Sequence, residues 1–75
     1  MSETLSNGRA MLASALNVAP DTIPDDAAIG LLESWDSLGH MRLVLALEQQ
    51  LTRELTADEI SELANLADIQ RLLDA

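Results

Sequence analysis

The sequence predicts an all-α fold, a small four-helix bundle with a long first loop and a short third helix. Three observations carry that prediction. The 75 residues are 48% apolar but contain one aromatic, Trp35, so the apolar side chains are almost all Ala, Leu, Ile, Val and Met. That set favours helices, whereas sheets draw on β-branched and aromatic residues. Apolar residues recur at helical spacing in separate stretches, and both prolines, Pro20 and Pro24, fall between the first two.

Helix one is expected from about Glu3 to Leu16, with Ser2 as its cap and Leu5, Leu12, Ala15 and Leu16 on one stripe. Gly8 reads as a weak spot there, costing about 1 kcal/mol against Ala. Asn17 to Asp36 then forms a long connection, broken by the prolines and rich in turn-forming Asp21, Asp25 and Asp26. A loop of more than about 15 residues in a small domain is usually functional. Its Val18, Ile23, Ile29, Leu31 and Leu32 are expected to pack down on the bundle, with Trp35 anchoring its end.

Helix two is expected from Ser37 to about Leu51. Thr56-Ala57-Asp58-Glu59 is a capping box, which starts a third helix through about Leu63. Asn65 or Leu66 opens a fourth, with Ile69, Leu72 and Leu73 facing inward. A single domain over residues 1–75 is expected, since so short a chain cannot bury two cores.

Charge and cysteine content narrow the function. The net charge is −9, from thirteen acids against four basic residues, all arginine. Such a surface repels phosphate backbones and anionic lipid, which argues against nucleic-acid and membrane partners and for basic protein surfaces. There is no cysteine, so neither a disulfide framework nor a thiolate metal site is available. Without a spanning run or a secretory signal, a cytoplasmic protein, monomeric when free, is the expectation.

On a helical wheel, helix two shows two apolar stripes. Leu43, Val44, Leu47 and Leu51 make an ordinary buried face. Leu38, Met41 and Leu45, at i, i+3 and i+7, lie on a different side near Ser37. Two readings fit that second stripe: the loop or bundle covers it, or it is an exposed docking strip. Ser37 is similarly open between an N-cap serine and a modified hydroxyl.

The surrounding residues bear on that choice. Asp36-Ser37-Leu38, followed by Leu43-Val44, Ala46-Leu47-Glu48 and Leu51, resembles the phosphopantetheine attachment segment of acyl carrier proteins. The resemblance extends over most of the chain, through helix one, the acidic loop and the closing pair of helices. It implies that the Ser37 hydroxyl carries 4′-phosphopantetheine from coenzyme A, whose thiol holds an acyl-type cargo as a thioester. It also implies that Asp36 assists a phosphopantetheinyl transferase by approaching its magnesium ion, although by position alone Asp36 is equally a helix cap. Implied partners are that transferase, an acyl- or aminoacyl-loading ligase and downstream acyl-using enzymes. They would meet a surface of Leu38, Met41, Arg42, Leu45 and Glu48, with Trp35 as a further contact or simply a loop anchor. No catalytic step belongs to such a carrier.

The sequence also departs from that family. Gly39, His40 and Arg42 stand where fatty-acid carriers present acids, leaving Glu48 as the acidic match. Ser34 and Trp35 replace the paired glycines common in peptidyl carriers. This points to a specialised biosynthetic pathway with its cargo open between acyl, hydroxyacyl and aminoacyl groups. A reading from another class is an unmodified helical interaction module. A Ser37–His40 hydrolase would need an orienting group and a pocket, and His40 reads better as a solvated or rim residue. Asp25 and Asp26 lack the spacing of a calcium loop.

Overall fold

The computed structural model describes residues 6–74. The expected cap Ser2 and stripe residue Leu5 lie outside them. Four helices follow in order: α1 (Ser6–Leu16), α2 (Ser37–Leu51), α3 (Ala57–Glu62) and α4 (Leu66–Asp74). A short 3₁₀ turn, Pro20–Thr22, lies within the first loop, where Pro20 presets its first position. No strand is present among the described residues, only an isolated antiparallel bridge between Ala28 and Asn65.

The core forms where α1 packs against α2 and α4. Leu12, Ala13 and Leu16 of α1 meet Leu43, Val44 and Leu47 of α2 and Leu66 and Ile69 of α4 in one buried cluster. Thus the first of the two predicted stripes on α2 is its buried face. α3 buries none of its own residues fully. Leu55 and Leu63, on either side of it, hold it to the core, and its capping box is complete between Thr56 and Glu59.

Gly8 is not the weak spot that helix propensity suggests. A Cβ there would sit 3.1 Å from the carbonyl oxygen of Leu66 and 3.3 Å from the backbone nitrogen of Gln70. Its absence lets α1 approach α4 closely enough for the Gly8 N–H to donate to buried Gln70 Oε1 at 2.8 Å. Gln70 in turn donates to Asp74, so no polar atom of this buried residue is left without a partner.

The long loop packs down only in part. Ile23 and Ala27 are buried, while Val18 and Leu32 are half-buried against the core. Arg9 of α1 holds the loop by donating to the carbonyl of Ile23 at 3.1 Å and pairing with Asp25. The Ile29 N–H donates to the carbonyl of Ala64 at 2.9 Å, tying the loop to the residues before α4. Ile29 and Leu31 were expected to pack inward. Instead Ile29 is exposed and Leu31 is 82% exposed, because the turn at Gly30, with φ +85°, points the chain away from the bundle.

Candidate functional site at the start of α2

The loop returns to the bundle at Trp35, whose side chain is fully buried in the core. Its backbone carbonyl accepts from Gly30 N–H at 3.2 Å, closing the turn that leads into α2. Asp36 follows in extended geometry and is the N-cap: its Oδ1 accepts from the Gly39 N–H at 2.8 Å. Ser37 is therefore the first residue inside the helix and is exposed. Of the two sequence readings, the cap belongs to Asp36, and no hydrogen bond among the described residues occupies the Ser37 hydroxyl.

Gly39 explains one departure from the expected acidic pattern. A Cβ at this position would lie 2.6 Å from both Leu16 Cδ2 and the carbonyl oxygen of Ser34. The start of α2 presses against α1 and the preceding loop here, and no larger residue fits. An acid is excluded by packing.

His40 sits at the rim of the core and is not freely solvated. It is half-buried, and its Nδ1 accepts from Trp35 Nε1 at 3.0 Å. That acceptor role puts the ring proton on Nε2, which faces the carbonyl of Ile60 in α3 at 3.2 Å. The indole and imidazole also stack, with centroids 6.2 Å apart. Both ring nitrogens are thus turned to Trp35 and Ile60, and neither is turned to Ser37 as a general base. Nothing local in the sequence could have revealed this line, since Ile60 stands twenty residues along the chain. Trp35 itself, offered by the sequence as a partner contact, is fully enclosed and anchors the loop instead.

The second apolar stripe is uncovered. Leu38 is 62%, Met41 51% and Leu45 58% exposed. Beside them Arg42 is exposed and has no ion pair among the described residues, whereas Arg9, Arg53 and Arg71 are each paired with an acid of this chain. Glu48, expected to face partners, is half-buried, and its Oε2 accepts from the Leu55 N–H at 2.9 Å. Its carboxylate is committed to the connection between α2 and α3. The exposed strip is therefore apolar with Arg42 beside it, on a chain of net charge −9.

Electrostatic perturbation is concentrated at the opposite end of α2. The hydrogen bond from Arg53, followed by that from the Thr56 N–H, pulls the Glu59 carboxyl down to about 2, and the same pairing raises Arg53. Asp25 is committed to Arg9, which leaves it poorly placed to hold an ion with Asp26. A surface depression of about 450 Å³ is lined by Asn7, Met11, Gln50 and Leu73 among others. Gln50 stands about 20 Å along α2 from Ser37 at 1.5 Å per residue, so that depression belongs to the other end of the bundle.

A phosphodiester fits the Ser37 position on this geometry. The hydroxyl is exposed and uncommitted, and it sits at the positive end of a 15-residue helix whose first-turn N–H groups favour an anion. A family model described as the phosphopantetheine attachment site matches residues 9–73, a span that includes Asp36 to Leu38. No curated protein matches the chain.

Proposed function

The chain belongs to the phosphopantetheine-attachment family, and on that footing we propose that Ser37 is the attachment residue of a free-standing acyl carrier protein. The group that this family carries is 4′-phosphopantetheine, joined covalently. When bound, it supplies the thiol that holds cargo as a thioester, chemistry that a chain without cysteine cannot supply itself. In the attachment step Ser37 Oγ bonds to the pantetheine-side phosphorus of the coenzyme A pyrophosphate. The bridging P–O bond breaks, the adenosine bisphosphate leaves, and the hydroxyl proton passes to the transferase.

The observation that carries this reading is the uncommitted Ser37 hydroxyl beside its Asp36 cap, next to the open strip of Leu38, Met41 and Leu45. Asp36 serves two ends here. Its Oδ1 holds the Gly39 N–H, and its carboxylate stays exposed where a transferase's magnesium ion could approach. Transferase, loading ligase and acyl-using enzymes would dock on the strip. Arg42, which has no acid paired with it among the described residues, favours a partner that offers a carboxylate at that point. This supports a specialised pathway over bulk fatty-acid synthesis, with an acyl, hydroxyacyl or aminoacyl cargo. The role is tethering, with the arm raising the local concentration of cargo at successive enzymes.

Incubation with coenzyme A and a broad-specificity phosphopantetheinyl transferase, followed by intact mass measurement, tests the reading. The expected result is a gain of one phosphopantetheine that Ser37→Ala abolishes. No gain, or a gain that survives the substitution, would sink it.

A further inference from the structure

A chain attached at Ser37 starts beside the seam between the first turn of α2 and the end of α3. Ser37 and His40 share a face of α2, one turn apart. His40 stands in that seam, with Nε2 at 3.2 Å from the Ile60 carbonyl of α3. Behind it the Trp35 indole is fully buried in the core and donates to His40 Nδ1 at 3.0 Å. Loop, α2 and α3 are thus joined by one hydrogen-bonded line, with the largest side chain of the protein behind it. Admitting a cargo chain there would separate the indole N–H and both imidazole nitrogens from their partners in a part-buried position, at the cost of desolvated groups left unpaired.

Resting on the attachment reading, we propose that Trp35 and His40 bar the α2–α3 seam, so that the cargo on Ser37 travels outside the bundle. The cargo class that suits such a carrier is a short or polar acyl, hydroxyacyl or aminoacyl group, because a long alkyl chain would keep its apolar surface in water. Trp35 and His40 are then specificity-determining residues that never touch the reacting thioester.

The test loads the protein directly from acetyl-, hexanoyl- and decanoyl-coenzyme A with a broad-specificity transferase. Two readouts follow chain length: the emission maximum of Trp35, the sole aromatic residue of the chain, and the rate of thioester cleavage by hydroxylamine. Expected for the wild type is an unshifted emission maximum and one cleavage rate for all three loads, equal to that of the matching free acyl-pantetheine. In His40→Ala the seam opens, the decanoyl thioester becomes protected and the emission shifts. Should His40→Ala not fold, Trp35→Phe keeps a ring but removes the indole N–H, and cleavage protection of its decanoyl form is the readout. Wild-type protection that grows with chain length would overturn the proposal. So would loaded variants that protect no better than the wild type. A failure to gain mass from any of the three would sink the attachment reading, and this one with it.

Discussion

The two ends of α2 are built on opposite plans. At and just beyond its last turn Glu48, Thr52 and Arg53 bond within the chain. Glu48 accepts from the Leu55 N–H, Thr52 closes the helix in left-handed geometry, and Arg53 forms a two-pronged pair with Glu59, which also completes the capping box of α3. At its first turns Asp36 and His40 are committed, and Ser37, Leu38, Met41 and Arg42 are left to solvent. The same contrast runs around the helix as well as along it, since Leu43, Val44 and Leu47 are buried while Leu38, Met41 and Leu45 are not. The buried and the exposed residues of one element are therefore separable, and substitutions should distinguish a stabilising face from the proposed docking face.

The largest stability difference is expected between two leucines two positions apart. Leu47→Ala should cost about 2–5 kcal/mol in urea unfolding, since it empties a fully buried site. Leu45→Ala should change stability by less than about 0.5 kcal/mol while weakening partner-dependent loading. Equal costs would erase the distinction between the faces. Next, Asp36→Ala should lower stability by about 1 kcal/mol through loss of the cap. It should also slow phosphopantetheine transfer to Ser37, and a loss of stability with no change in transfer rate would leave Asp36 as a cap alone.

The smallest effect belongs to the sealed end and depends on pH. Glu59 titrates at about 2 in the fold, below its ordinary 4.5, so folding favours its ionised form. That contribution is complete above pH 4.5 and disappears as the pH falls to about 2. Glu59→Gln should be the less stable protein at neutral pH. Its unfolding curve should converge with that of the wild type across this window, and parallel curves down to pH 2 would show that the pair contributes nothing.

How much of this was legible beforehand follows from the range of each interaction. The ends of α2, the capping box of α3 and the buried face of α2 rest on neighbours within a turn or two, and periodicity and caps report those directly. The Ser37 motif is equally local. The roles of Gly8, Gly39 and His40 are not. Each depends on a backbone brought alongside from elsewhere: Leu66 and Gln70 for Gly8, Leu16 and Ser34 for Gly39, Ile60 for His40. Propensity therefore marked Gly8 as a defect where packing requires it. Leu31 misled for the complementary reason, because an apolar residue in a loop looks like core until the turn at Gly30 directs it outward.

The clasp between Gly8 and Gln70 has a mechanical side. It joins residues 62 apart in sequence, and Asp74 is held to the same glutamine. A pull applied at Ser6 and Asp74 would load α1 and α4 at this one seam, as a zipper is loaded from its open end. Hydrogen bonds and side-chain contacts would then part in succession. The strip beside Ser37 is carried by α2, away from that seam, so a carrier tugged by its ends would yield first at the clasp.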